Sequence, residues 1–143
     1  MSEPAGAEIL LVEDSPDDVE LTIRALRKAR IAASVRVARD GAEALEALLG
    51  DEAALAKGLR VVLLDLKLPR LGGFEVLERI RREEATRALP VVVLSSSREE
   101  CDVRRAYELG ANSYVVKPVE FERFSDAVGE VGSYWLLRNE TPE

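Results

Sequence analysis

Four short apolar runs in this chain are each followed at once by an acidic, hydroxyl or basic residue. The pairs are Ile9–Val12 with Glu13 and Asp14, Val61–Leu64 with Asp65, Val91–Leu94 with Ser95, and Tyr114–Val116 with Lys117. In an open parallel sheet the carboxyl ends of the strands form one edge, and ligand sites collect there. We therefore expect these side chains to converge on one pocket.

The three acids offer the oxygen ligands that a hard cation prefers. Mg²⁺ takes oxygen ligands in octahedral geometry and keeps several waters, so one or two carboxylates and a phosphate suffice. Asp14 and Asp65 are expected as direct ligands, and the longer Glu13 as a ligand through water. The backbone carbonyl of Lys67 can add a further oxygen. The sequence therefore predicts a magnesium site, whose ion would relieve the repulsion among the carboxylates.

Asp65 and Lys117 also indicate phosphoryl chemistry. A carboxylate can attack phosphorus and form an acyl phosphate, and Asp65 follows the run that is expected to be the central, buried strand. The Lys117 ammonium can bind a phosphate oxygen, and the Ser95 hydroxyl can donate a hydrogen bond to it. Pro118 predicts a cis peptide that would turn Lys117 inward.

Each of these residues has an ordinary structural interpretation when it is taken alone. An acid such as Asp14 at a strand end usually caps a helix or is solvated, Ser95 alone would more often bond to backbone, and Lys117 alone would more often be a surface residue. Tyr114 fits core packing and a switching role equally well. The occurrence of these polar residues together, each at the end of one of four apolar runs, favours the functional interpretation.

The apolar runs alternate with segments of helical period, which predicts βαβ units and a parallel sheet. The predicted strands are Ile9–Val12, Val35–Ala38, Arg60–Asp65, Val91–Ser95 and Ser113–Val116. Helices are expected to begin at Pro16 after the N-cap Ser15, at Gly41 after Asp40, near Phe74, at Ser97 and near Glu120, with Gly110 as a C-terminal cap. A helix extension and a loop are expected between Gly50 and Gly58.

Composition narrows the class of protein. The 143 residues are 47% hydrophobic and carry a net charge of −7, which argues against direct DNA binding. No apolar run approaches the roughly 20 residues of a membrane span. One cysteine and no histidine exclude an intramolecular disulfide, zinc-histidine sites and Ser-His-Asp triads. We expect a soluble cytoplasmic protein, and any phosphohistidine in its chemistry must lie on a partner.

The motifs resemble those of the receiver domain of two-component response regulators, over residues 7–132, with residues 133–143 as the end of the last helix and a tail. The resemblance rests on Glu13-Asp14, on Asp65 with Pro69 and Gly72-Gly73 behind it, on Ser95-Ser96, on Tyr114 and on Lys117-Pro118. It implies a flavodoxin-like (CheY-like) α/β fold with five parallel strands in the order 2-1-3-4-5 and five helices. It also implies phosphoryl transfer from a histidine kinase to Asp65, with Ser95, Ser96 and Tyr114 in the switch.

A narrower resemblance is to the small stand-alone regulators paired with bacterial phytochromes. It rests on the segment 12–18, on the extension between Gly50 and Gly58, and on the ending Ser133-Tyr134-Trp135-Leu136. It implies a bacteriophytochrome as the kinase. Glu13 stands where aspartate is common in the family and Ser95 where threonine is as frequent, and both keep the chemistry.

The output of such a regulator would be phosphotransfer, binding or dimerisation, because no DNA-binding or enzymatic output domain is expected after Trp135. Tyr107, Tyr134, Leu136 and Leu137 are apolar residues beyond the stripes that face the sheet. With Trp135, they predict a homodimer through helix four, strand five and helix five. The alternative is a monomer with a better-covered core.

Two other classes share parts of this pattern. A haloacid-dehalogenase-like phosphatase needs a second aspartate two residues after the nucleophile, where this chain has Lys67. A flavodoxin needs a hydroxyl-rich phosphate loop after strand one, where Glu13 and Asp14 would repel the flavin phosphate. We therefore expect a signalling phosphoacceptor and not an enzyme. A phosphorelay intermediate or phosphate sink is an alternative that the sequence does not separate from a dimerising output.

Overall fold

The computed structural model describes residues 8–50, 58–117 and 120–140, in which strands and helices alternate. The strands are β1 (Ile9–Val12), β2 (Val35–Ala38), β3 (Val61–Leu64), β4 (Val91–Ser95) and β5 (Ser113–Val116). The helices are α1 (Pro16–Lys28), α2 (Gly41–Leu49), α3 (Gly73–Arg82), α4 (Glu100–Glu108) and α5 (Phe121–Ser133), followed by a π-helical turn, Tyr134–Arg138.

The strands form one parallel sheet in the order β2-β1-β3-β4-β5. This confirms the predicted fold class and strand order. Val12 is paired with Leu64, and Leu64 with Val93, so β1, β3 and β4 end close to one another. The polar residues that follow these strands therefore share one edge of the sheet.

Side chains alternate between the two faces of the sheet, because successive residues of a strand point in opposite directions. Leu10 and Val62 pack with α2 and α3, in a cluster that includes Leu48 and Ile80. The opposite face, which includes Leu63, packs with α1 and α5 in a second cluster. All residues of β1, β3 and β4 are buried, so the strands that carry the site are held on both faces.

Polar caps fix where the first two helices begin. The Ser15 Oγ accepts a hydrogen bond from the Asp18 amide at 3.3 Å, and Pro16 occupies the first turn of α1. The Asp40 carboxylate accepts one from the Glu43 amide at 2.7 Å. These side chains satisfy amides that a helix leaves unpaired at its N-terminus. Both predicted helix starts are confirmed.

Several predicted boundaries differ from the structure. Strand β3 lacks Arg60 and Asp65, and α4 begins at Glu100 and not at Ser97. The Ser97 hydroxyl accepts a hydrogen bond from the Glu99 amide at 3.2 Å, which stabilises a turn ahead of the helix. Residues 51–57 and Pro118, which carry the predicted extension and cis peptide, lie outside the described residues.

The segment that follows α5 also departs from a regular α-helix. Trp135 lies in the π-helical turn after α5, although it still packs against the second cluster. Leu136, which we expected beyond the sheet-facing stripe, packs against the same cluster. The extra residue per turn of a π-helix rotates both side chains relative to the α-helical period. The expectation that Leu136 lies away from the core is therefore wrong, whereas its place in the predicted dimer face stays a prediction.

Gly73 lets α3 approach the loop that follows β3. Its amide donates a hydrogen bond to the Leu66 carbonyl at 3.0 Å. A Cβ at this position would overlap the Asp65 carbonyl oxygen and lie 2.6 Å from the Leu66 Cα. At the neighbouring Gly72 the nearest atom would be a Glu75 carboxylate oxygen at 3.5 Å, which is an ordinary contact.

We therefore expect Gly73→Ala to lower the free energy of unfolding by about 1–3 kcal/mol, the usual range for overpacking against atoms that cannot move aside. Gly72→Ala is the matched control, and its free energy of unfolding should stay close to the wild-type value. Urea unfolding of the three proteins measures the difference. Equal losses in both variants would contradict a special close approach at Gly73.

Candidate metal and phosphoryl site

The structure brings Glu13, Asp14 and Asp65 together at the carboxyl edge of the sheet. Each offers a carboxylate oxygen, and these oxygens lie within 4.8 Å of one another. Glu13 is 3% exposed, Asp65 is half-buried and Asp14 is exposed, so the group runs from the interior to the surface. β1 and β3 are neighbours in the sheet, which is why residues so distant in sequence meet. The three carboxylates fit a hard divalent cation.

Lys117 follows β5 and reaches across the same edge. Its Nζ lies 2.5 Å from the Glu13 Oε1, 3.0 Å from the Asp18 Oδ2 and 3.8 Å from the Asp65 Oδ2. The lysine side chain is only 12% exposed, so water screens these contacts poorly. The other Glu13 oxygen, Oε2, accepts a hydrogen bond from the Ser15 amide at 3.2 Å. Glu13 is therefore held from both sides.

Burial shifts the pKa values of the innermost acids upward. It raises the pKa of Glu13 from 4.5 to about 7, with the Asp65 charge acting in the same direction and the hydrogen bond from Lys117 opposing both. Burial likewise raises the pKa of Asp65, against the opposing charge of Lys117. Burial alone would lower the pKa of Lys117, but the hydrogen bond to Glu13 and the charge of Asp65 raise it overall. One ammonium therefore only partly compensates for the clustered acids.

Asp18 is the residue of this site that the sequence analysis missed. Asp17 and Asp18 are both acids in the first turn of α1, where they suit the helix dipole. Only the Asp18 carboxylate is ion-paired with Lys117. The available signal was its position in the first turn of α1, four residues after Asp14.

Ser95 and Tyr114 meet at the backbone of Ser97. The fully buried Ser95 Oγ accepts a hydrogen bond from the Ser97 amide at 3.1 Å. The Tyr114 hydroxyl donates to the Ser97 carbonyl at 2.9 Å. Ser96 is exposed to solvent. The two predicted switch residues are thus linked through one residue that neither motif singled out.

Lys67 contributes its backbone amide next to the carboxylates. The amide lies 3.4 Å from the Asp65 Oδ1, which is a long hydrogen bond to the carboxylate, and the lysine side chain is exposed. A donor at this place favours the charged form of Asp65. It opposes the effect of burial on the same group.

The predicted dimer face includes the large exposed hydrophobic side chains of the described residues. Tyr107 is 49% exposed, Tyr134 is 51% exposed and Leu137 is 72% exposed. The half-buried Trp135 makes an edge contact with the Tyr134 ring at a centroid distance of 4.9 Å. α4 and the C-terminal turn therefore present apolar surface to solvent.

The raised pKa of Glu13 predicts a pH-dependent loss of stability in the metal-free protein. The contribution of this group is full below pH 4.5 and is lost as the pH rises through about 7, because the unfolded chain releases the proton first. Relative to Glu13→Gln, the wild type should lose on the order of 1 kcal/mol of unfolding free energy per pH unit in this window. Chemical unfolding in EDTA measures it.

The control for this titration is Glu20→Gln, which alters an exposed glutamate of α1. Its stability should follow the wild type across the window. A constant difference between the wild type and Glu13→Gln from pH 4.5 to 7 would contradict the raised pKa of Glu13.

No helix in the described residues is long and apolar enough to cross a membrane.

The fold and the acidic pocket agree with what is known of the proteins to which this chain is similar. A family model for the response regulator receiver domain matches residues 9–129. The probable methanogenesis regulatory protein FilR2 of Methanothrix harundinacea is 43% identical over 134 residues, which cover 94% of this chain and 86% of that protein. The bacteriophytochrome response regulator AtBRR is 51% identical with a TM-score of 0.71, over 96% of this chain and 100% of that one.

A second solved structure matches more closely in shape. The Mn²⁺-bound form of response regulator Rcp1, a protein of a Synechocystis strain, has a TM-score of 0.85 at 35% identity, and the match covers 94% of this chain and 98% of that one. These relationships agree with the acidic edge of the sheet, which is where receiver domains bind a divalent metal. The chain belongs to the response regulator receiver domain family, and phytochrome response regulators are among its relatives.

Proposed function

We propose that Asp65 accepts a phosphoryl group from the phosphohistidine of a partner histidine kinase. The observation that carries the proposal is the grouping of Glu13, Asp14 and Asp65 around the Lys117 ammonium, in a chain of the receiver family. Nucleophilic attack requires a charged carboxylate with an open path to phosphorus. Asp65 is half-buried at the edge of the sheet, and the Lys67 amide and the charge of Lys117 both favour its charged form.

In the transfer, a carboxylate oxygen of Asp65 forms a bond to phosphorus as the bond from phosphorus to the histidine nitrogen breaks. Glu13, Asp14, Asp65 and the Lys67 carbonyl would hold Mg²⁺, which supplies the positive charge that the incoming phosphoryl group needs. The Lys117 ammonium faces the charged Asp65 carboxylate before the transfer, and it would pair with a negatively charged phosphoryl oxygen after it. The Ser95 hydroxyl donates to another phosphoryl oxygen.

The partner proposed for this chain is a bacteriophytochrome kinase. The support is the 51% identity to a regulator whose name states that pairing. The receiver domain would span residues 7–132, with residues 133–143 as the end of the last helix and a tail, and would act in the cytoplasm without direct DNA binding. The net charge of −7 supports the last point.

The proposed output is a homodimer formed through α4, β5 and α5. Its support is the exposed apolar surface of Tyr107, Tyr134 and Leu137, beside the half-buried Trp135. Large apolar side chains that are exposed on a surface can contribute to an interaction site. A phosphorylated Asp65 would influence this face through Ser95 and Tyr114.

Incubation with acetyl phosphate and Mg²⁺ should add one phosphoryl group to the wild type, measured by intact mass. Asp65→Asn should show no addition, because an amide is not a competent nucleophile. Asp14→Asn should show much less addition, and EDTA should abolish it. The control Asp17→Asn, an exposed acid of α1, should match the wild type. An adduct of equal yield in Asp65→Asn would refute the assignment of the acceptor.

Leu137→Asp should convert a dimer into a monomer, because a carboxylate in an apolar interface loses its hydration. Sedimentation velocity at micromolar concentration, with and without acetyl phosphate, measures the state. Ala85→Asp adds the same charge at an exposed position after α3 and should leave the dimer intact. A monomeric wild type under both conditions would rule out the dimer.

A further inference from the structure

The Lys117 ammonium has three N–H donors, and two of them are held by carboxylates. One donates to the Glu13 Oε1 at 2.5 Å and another to the Asp18 Oδ2 at 3.0 Å. The Asp65 Oδ2 lies 3.8 Å from the same nitrogen, which is too far for a hydrogen bond. The third N–H therefore has no hydrogen-bond acceptor among the residues that the structure describes.

The start of α1 fixes the two acceptors of this ammonium relative to one another. The Ser15 amide donates to the Glu13 Oε2 at 3.2 Å, and the Ser15 Oγ accepts from the Asp18 amide at 3.3 Å. The buried Thr22 hydroxyl donates to the Asp18 carbonyl at 2.7 Å. The Asp18 backbone is thus hydrogen-bonded at both its amide and its carbonyl, which limits where its carboxylate can lie.

Partial burial distinguishes the contact of Asp18 with Lys117 from an ordinary surface ion pair. The Lys117 side chain is mostly buried and the Asp18 side chain is half-buried. In the ion pair of Lys28 with Glu122, which also involves α1, both side chains are exposed. Water and salt weaken exposed pairs strongly. The contact of Asp18 is therefore the better suited of the two to hold a side chain in one position.

We propose that Asp18 is a positioning residue for phosphoryl transfer, which holds Lys117 so that one N–H stays open for a phosphoryl oxygen on Asp65. This role rests on the proposed function. A donor that is oriented before the reaction costs less to order as charge develops on the phosphoryl group. Asp18 acts through Lys117 and takes no part in bond formation. Without Asp18 the ammonium keeps one acceptor, Glu13, and can rotate about that contact.

The charge of Asp18 has an opposing effect, because a carboxylate at the site repels an incoming phosphoryl group. Two substitutions separate position from charge. Asp18→Asn removes the charge and keeps an oxygen that can accept from Lys117, whereas Asp18→Ala removes both. A positioning role predicts that alanine slows the reaction and that asparagine largely preserves it. Repulsion alone predicts that both variants react faster.

Nitrogen-15 NMR of the lysine ammonium groups tests the contact in the metal-free full chain, without a phosphoryl group. The Lys117 signal, assigned by its absence from Lys117→Arg, should be resolved because held protons exchange slowly with water. Asp18→Ala should broaden or remove it, and Asp18→Asn should retain it. The control Asp17→Ala, an exposed acid in the same helix turn, should match the wild type. A signal that is absent from the wild type, or unchanged in Asp18→Ala, would overturn the positioning role.

The rate of phosphorylation by acetyl phosphate with saturating Mg²⁺, followed by intact mass, tests the consequence. Asp18→Ala should react about fivefold more slowly than the wild type, which is the loss of a partly exposed ion pair expressed as a rate. Asp18→Asn and Asp17→Ala should stay close to the wild-type rate. Equal rates in the two Asp18 variants, whether raised or lowered, or a wild-type rate in Asp18→Ala, would overturn the positioning role alone. An unmodified wild type would instead overturn the proposed function, and this role with it.

Discussion

The negative charge at the carboxyl edge of the sheet is the constraint on which the other features of this molecule depend. Glu13 is almost fully buried, and a buried carboxylate needs a partner or a proton. Lys117 serves as that partner and also reaches Asp18 and Asp65. In the absence of a cation, the clustered carboxylates therefore repel one another. A positive group at this site, whether a metal ion or an ammonium, reduces that repulsion and so stabilises the fold.

The fold accommodates this concentration of charge by surrounding it with rigid, apolar elements. β1, β3 and β4 are buried along their whole length, so the residues at their ends have little freedom to move apart. The close approach of Gly73 to the loop after β3 adds a further restraint on Asp65. Rigid placement favours nucleophilic chemistry, because the attacking oxygen is held in one orientation.

The described hydrogen bonds also show how this rigid site connects to a surface. Ser95 is buried at the end of β4, the strand next to β3, whereas Tyr107 is exposed on α4. Ser97 lies between them, bonded to Ser95 on one side and to the first turn of α4 through Asp102 on the other. These hydrogen bonds tie the end of β4, where the site lies, to the first turn of α4.

Much of this protein could be predicted from its sequence, because local signals and the topology of parallel sheets are strong. Four-residue apolar runs set β1 and β4, Ser15 and Asp40 set helix starts, and the strand order follows from the receiver pattern. The convergence of Glu13, Asp14 and Asp65 follows from the same topology. The tertiary structure alone decided that Lys117 pairs with Asp18, that Ser97 joins Ser95 to Asp102, and that a π-helical turn packs Leu136 inward. These contacts depend on side-chain directions across elements that are distant in the chain, and residue spacing carries no information about such directions until the elements have packed.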